Sequence, residues 1–192
     1  MSSAFDDEIW SLVPESGPPP ARHLARFVGS LGPSQHALDL GCGDGRTSVL
    51  IETKQLILAD VSEVALARAQ ARLPGTATVL LEPERKLALK DNAFDLVVCT
   101  ETIEHVRDVQ LLLSEVRRVL RPGGRLAVSA PWHGRLLGLD LLIRGFERHF
   151  DPQSAHVRFF TMRSITELLD ALGFDVQRAE RRGSGLYLVA TR

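Results

Sequence analysis

Residues 37–48, Ala-Leu-Asp-Leu-Gly-Cys-Gly-Asp-Gly-Arg-Thr-Ser, constrain this chain more than any other stretch. A short apolar run reads as a buried strand and empties into Gly41, Gly43 and Gly45. Glycines at alternate positions admit a tight backbone turn close to a ligand, where a Cβ would collide. The stretch after it, 45–52, reads as a helix whose start would offer unpaired N–H groups to an anionic part of that ligand. Asp60 lies nineteen residues beyond Gly41 and ends a second apolar run, Leu56-Ile57-Leu58-Ala59-Asp60. In nucleotide-binding α/β sheets an acidic side chain at that place grips the ribose hydroxyls.

The rest of the chain continues this alternation. Leu24, Phe27, Val28 and Leu31 give 21–31 a helical spacing. Strand 56–60 is followed by helix 62–72, which Ser62 begins and Leu73-Pro74-Gly75 stops. Strands at 77–81 and 95–99 precede helix 108–120, and Pro122-Gly123-Gly124 turns the chain into strand 125–130. Helix 163–172 is followed by strands 174–180 and 185–191, joined by the hairpin signal Arg182-Gly183-Ser184-Gly185. Alternating strands and helices with a terminal hairpin imply an α/β fold, a mostly parallel sheet with one antiparallel edge pair. A Pro-rich linker at 14–20 sets off an N-terminal cap, and a long connection at 131–160 stands where a substrate-side insertion is expected. One domain over 1–192 is expected.

A net charge of −1 gives no excess to attract nucleic acid, and no stretch is apolar and long enough for a membrane span. The acidic start lacks a signal-peptide pattern, so a cytoplasmic location is expected, with Cys42 and Cys99 as buried thiols.

The glycine spacing discriminates among ligands. A dinucleotide turn, Gly-x-Gly-x-x-Gly, would put its third glycine at position 46, which is Arg46. The observed Leu38-Asp39-Leu40-Gly41-Cys42-Gly43-Asp44-Gly45 instead resembles the first motif of the class I S-adenosylmethionine-dependent methyltransferases, type 11-like. Leu58-Ala59-Asp60-Val61-Ser62 looks like the family's ribose-binding segment, and Asn92-Ala93-Phe94-Asp95-Leu96-Val97-Val98 like its fourth strand. Val119-Leu120-Arg121-Pro122-Gly123-Gly124-Arg125-Leu126 resembles its turn into the fifth. The resemblance implies a Rossmann-like sheet of seven strands with helices on both faces.

It also implies S-adenosylmethionine as cofactor and S-adenosylhomocysteine as product. The N–H groups across Gly41, Cys42, Gly43 and Gly45 suit the methionine carboxylate, Asp39 its ammonium, and Asp60 with Val61 the ribose. Thr100 and Glu101 should flank the methionine portion. The family's adenine-side Asp falls near Pro83, leaving Glu82 or Glu84 in its place. The amino-methylating Asn/Asp-Pro-Pro-aromatic motif and the Pro-Cys nucleophile of cytosine C5 enzymes are both absent. A small-molecule acceptor, methylated at oxygen or nitrogen, is the class that remains. An RNA- or protein-modifying enzyme using arginines of 131–160 and 178–182, or a non-catalytic cofactor-binding module, are the alternatives.

Proton removal from the acceptor suits a histidine. His133, after the fifth strand, and His105 are the candidates for catalysis. Glu101, Glu104 and His105 stand at i, i+3 and i+4, a spacing that could hold a divalent ion with His156. A similar Glu-x-x-Glu-His in some family members, small RNA 3′-end and ubiquinone-pathway O-methyltransferases, holds a divalent ion that polarises the acceptor hydroxyl; it also occurs in relatives for which no metal is assumed, and none is expected here.

Overall fold

A computed structural model describes residues 3–15, 17–132 and 156–192. Seven strands form one sheet: β1 (Ser34–Leu40), β2 (Thr53–Asp60), β3 (Ala77–Leu80), β4 (Phe94–Thr100), β5 (Leu120–Pro131), β6 (Asp175–Arg182) and β7 (Gly185–Thr191). Their order is β3-β2-β1-β4-β5-β7-β6. The first five run parallel, and β7 pairs antiparallel with both β5 and β6. The expected Rossmann-like architecture and the terminal hairpin are both present.

Helices α1 (Ser3–Leu12), α2 (Arg22–Gly29), α3 (Glu63–Arg72), α4 (Val109–Val119) and α5 (Met162–Ala171) complete the described elements. Strand β4 is buried along its whole length, which is why its sequence is a near-continuous apolar run. Its side chains alternate between two cores. Val97 and Cys99 join Leu113 and Val116 of α4 and Ile165 of α5. Leu96 and Val98 join Phe27 and Val28 of α2 on the other face. A third cluster packs Cys42 and Leu58 against Leu66 and Ala69 of α3. Helices thus cover both faces.

Local chemistry sets the helix ends. Ser62 accepts the N–H of Ala65 at the start of α3, and Asp108 accepts that of Leu111 at the start of α4. Thr161 and Ser164 exchange bonds as a capping box on α5. No helix among the described residues is long and apolar enough to cross a membrane.

The helix expected over 45–52 is not formed. The chain makes only a single 3₁₀ turn, Ser48–Leu50. Only residues 41–52 lie between β1 and β2, and they must complete the glycine turn and also run back along β1. Seven strand residues span roughly 23 Å, a distance that seven helical residues at about 1.5 Å each cannot cover. Extended chain can. The N-terminal cap, in contrast, is a helix, with Ile9 and Trp10 partly buried and Leu12 exposed.

Candidate active site

Strand order reverses between β1 and β4, whose loops leave the sheet in opposite directions and open a crevice at the carboxyl edge. A cavity of about 320 Å³ lies there. It is lined by Leu40, Gly41 and Gly43 of the glycine turn, by Asp60, Val61 and 81–85, and by Glu101, Thr102, His105, Leu111 and Leu112, with Arg107 paired to Glu84 at 2.6 Å. Helix α1 supplies the roof with Asp6, Ile9 and Trp10.

The glycines are required by the protein itself. Gly41 has φ +76°, and the Thr102 side chain occupies the place its Cβ would need. Gly43 has φ +54°, and a Cβ there would stand 2.7 Å from Trp10 Cζ2. Both positive φ values also disfavour any other residue.

Four N–H groups of this turn are already engaged. Those of Gly41 and Cys42 donate to the Ala59 carbonyl, that of Gly45 to Cys42, and that of Gly43 to Asp60 Oδ2 at 2.8 Å. The turn therefore offers bare Cα surface, and the anion-binding helix start anticipated after it does not exist. The other Asp60 oxygen accepts the Ser62 N–H at 3.0 Å. Burial pushes the Asp60 carboxyl above its usual range, against the opposing effect of those bonds. Each carboxylate oxygen retains a second lone pair for a ligand hydroxyl.

Four of the anticipated cofactor residues stand behind the cavity wall. Asp39 is 1% exposed and accepts a 2.5 Å bond from Ser48 Oγ. Burial, with the nearby Asp60 charge, raises its pKa to about 7 although the Ser48 bond opposes the shift. Cys42 turns into the α3 cluster, where burial pushes its thiol up. Gly45 lies against Ala69, and the Thr100 carbonyl accepts the Thr102 hydroxyl at 2.9 Å. Gly41, Gly43, Asp60, Val61 and Glu101 do line the cavity.

Arg46, at the position that breaks the dinucleotide pattern, clasps the buried Asp44 through two nitrogens and donates to the Pro18 carbonyl at 2.9 Å. Burial would raise the Asp44 carboxyl, but the Arg46 bonds and the Arg46 and Arg72 charges outweigh it and hold it low. The loop is thus tied to the linker that carries α1. Asp7 completes the docking: its Oδ1 accepts the Ser62 hydroxyl at 2.6 Å and the Val64 N–H at 3.3 Å. Arg68 adds a 2.7 Å bond to the Val13 carbonyl.

At the far end, Glu101 has φ +51°, and its Oε1 accepts the Ser129 hydroxyl at 2.7 Å. His105 lines the cavity, and its ring lies 4.8 Å from that of His156, centroid to centroid. Glu104 is buried beside them, and burial raises its carboxyl to about 8. His133 lies outside the described residues. Segment 5–10 of the N-terminal cap was expected over the cofactor, and its Asp6, Ile9 and Trp10 line the cavity; Arg107, Leu111 and Leu112 were not singled out from sequence.

Residues 38–128 match the family model described as a methyltransferase domain. A probable S-adenosylmethionine-dependent methyltransferase of Mycolicibacterium smegmatis is 34% identical over 145 residues, covering 73% of this chain and 52% of that protein. A malonyl-[acyl-carrier protein] O-methyltransferase of Methylococcus capsulatus is 31% identical over 173 residues, covering 86% and 56%. The chain thus spans about half the length of these curated relatives. The crystal structure of a putative methyltransferase from Bacillus halodurans C-125 aligns with a TM-score of 0.70 at 22% identity, covering 83% of this chain and 72% of that one, and shows the shared fold. Through the motifs on β1, β2, β4 and β5, the chain belongs to the class I S-adenosylmethionine-dependent methyltransferase family, whose cofactor is S-adenosylmethionine.

Proposed function

We propose that the protein transfers the methyl group of S-adenosylmethionine to an oxygen or nitrogen of a small-molecule acceptor. The observation that carries this reading is the character of the cavity. Asp6, Asp60, Glu101 and Asp108 line it, together with Glu82 and Glu84, which pair with Arg85 and Arg107. A net-acidic lining, with the N–H groups of Gly41, Cys42, Gly43 and Gly45 bonded within the protein, favours a cationic sulfonium ligand over a pyrophosphate. In this reading Asp60 takes the ribose diol, Val61 and 81–85 flank the adenine, and the methionine portion crosses Gly41 and Gly43 toward Glu101. Asp39, Cys42, Gly45 and Thr100 act from behind by holding the turn.

The sulfonium is an activated leaving group, so transfer asks chiefly for alignment at the methyl carbon. Trp10 and Ile9 would exclude water from it. The acceptor would enter at the end formed by Leu111, Leu112 and His105, where its proton is handled. A cavity of this volume is at the small end for ligand sites and suits one cofactor-sized molecule. The name of the Methylococcus capsulatus relative, an O-methyltransferase, supports an oxygen acceptor.

A macromolecular acceptor would favour the basic hollow of about 490 Å³ formed by His23, Arg26, Arg178 and Arg182. Glu180 already pairs with both Arg178 and Arg182 there, which leaves the small-molecule reading the stronger. We propose 1–192 as one working unit; most of the expected insertion at 131–160 lies outside the described residues. Incubation with methyl-labelled S-adenosylmethionine and separate panels of small hydroxyl or amine compounds and of RNA tests the choice. Label transferred to RNA alone, with salt-sensitive binding, would reverse it.

A further inference from the structure

We propose that the hollow between α2 and the terminal β6–β7 hairpin is a binding site for a small organic phosphate. Its volume is about 490 Å³, the size of a small-ligand pocket, and none of its lining residues lines the cofactor cavity. Three guanidiniums, of Arg26, Arg178 and Arg182, stand there against a single carboxylate, that of Glu180. The chain as a whole carries −1 and the cofactor cavity is net acidic, so positive charge is gathered here against the average.

The fold holds this charge in place. Arg178 lies over the Phe27 ring, 5.8 Å from its centroid, and donates to the Ser30 hydroxyl at 2.9 Å. Its other terminal nitrogen pairs with Glu180, whose second oxygen takes Arg182 Nε at 3.0 Å. One carboxylate thus orients two guanidiniums without neutralising both. The terminal nitrogens of Arg182, and the whole Arg26 guanidinium, bond to no described residue. The hairpin keeps the space clear. Gly183 has φ +57°, and a Cβ on it would stand 3.3 Å from His23 Cδ2. A Cβ on Gly185 would stand 2.6 Å from the Tyr187 hydroxyl.

Tyr187 is the independent pointer to a ligand. It is 5% exposed and lines the hollow, yet its hydroxyl forms no hydrogen bond with any described residue. A phenol so buried normally has a partner. Burial, with the Glu101 charge, pushes its pKa up, so it stays protonated and can donate. This hydroxyl and the free donors of Arg26 and Arg182 outnumber the two oxygens of a carboxylate. They suit the three terminal oxygens of a phosphate monoester, which planar guanidinium forks grip in pairs. The volume beyond the phosphate takes the organic part, beside His23 and Phe27. A nucleic-acid strand would instead need basic groups spread along an extended path, whereas these converge on one hollow with Glu180 in its midst. The site does not rest on the transferase reading.

Calorimetry of the full chain with glycerol 3-phosphate, with succinate and with a single-stranded RNA tests the site. Saturable binding of glycerol 3-phosphate, one per chain, is expected, with succinate about tenfold weaker or more. Arg26→Gln and Arg182→Gln should each lower glycerol 3-phosphate affinity about tenfold or more, the loss of a charge-assisted bond. Tyr187→Phe should lower it about fivefold or more, which a ring that only packs would not do. Arg163→Gln, at an exposed arginine on α5, should change nothing. S-adenosylhomocysteine affinity should be equal in all four variants, which shows that each is folded and keeps the result separate from the transferase reading. Absence of glycerol 3-phosphate binding, binding that Arg26→Gln and Arg182→Gln leave intact, or equal binding of succinate would overturn the proposal. So would RNA that displaces glycerol 3-phosphate and depends on the same two arginines.

Discussion

Asp60 serves two masters, bracing Gly43 through one oxygen and Ser62 through the other while facing the cavity. Asp60→Ala should therefore cost about 2–3 kcal/mol of S-adenosylmethionine affinity by calorimetry. Asp60→Asn, which keeps an acceptor for one N–H, should cost less. Asp39 makes a separate prediction. Its carboxyl titrates near 7 in the fold against 3.8 in the unfolded chain, so the folded state holds the extra proton between these values. Its contribution is full at low pH and is lost as pH rises through about 7, so the melting temperature of the ligand-free protein should fall across that window. Asp60 and Glu104 shift in the same direction, so Asp39→Asn should flatten the slope in part. An unchanged slope would mean that Asp39 is ionised throughout. His133→Ala tests the remaining base candidate: a drop in turnover of roughly a hundredfold or more at unchanged cofactor affinity is expected if it takes the proton. A wild-type rate would remove it and leave the His105 end.

At the scale of elements, α1 is the part that the motifs do not contain and that the cavity cannot do without. It is held by Asp7, whose carboxyl is kept low by the Ser62 hydroxyl and the Val64 N–H. Asp7→Ala should raise amide exchange in 3–15 and weaken S-adenosylhomocysteine binding, while exchange in β4 stays unchanged. In the wild type the product should protect that same segment. Exchange in 3–15 that ignores both the substitution and the product would make α1 a packing element only. Gly43→Val must move this helix as well as block the cavity, because its first new atom would meet Trp10. The strands were legible because β1, β2 and β4 carry apolar runs that end in glycine or acid. The missing helix at 45–52 was not, because its residues tolerate a helix locally. What forbids it is the distance back to the start of β2, a property of the sheet.

For the whole molecule, the order of strands decides where a ligand can sit. The reversal between β1 and β4 opens the cavity. Asp60, Val61, Gly41, Gly43 and Glu101 were readable as its lining because they occupy strand ends. Which of the neighbouring motif residues face inward was not, since Asp39, Cys42 and Gly45 differ from them only by the pleat and by the turn's own hydrogen bonds. Those bonds also answer the question the glycines left open, whether the turn cradles a phosphate. Calorimetry of the full chain against S-adenosylmethionine and against NAD tests this most directly. The account predicts saturable binding of the methyl donor, abolished in Gly43→Val, and no binding of the dinucleotide; tight NAD binding with no uptake of S-adenosylmethionine would contradict it.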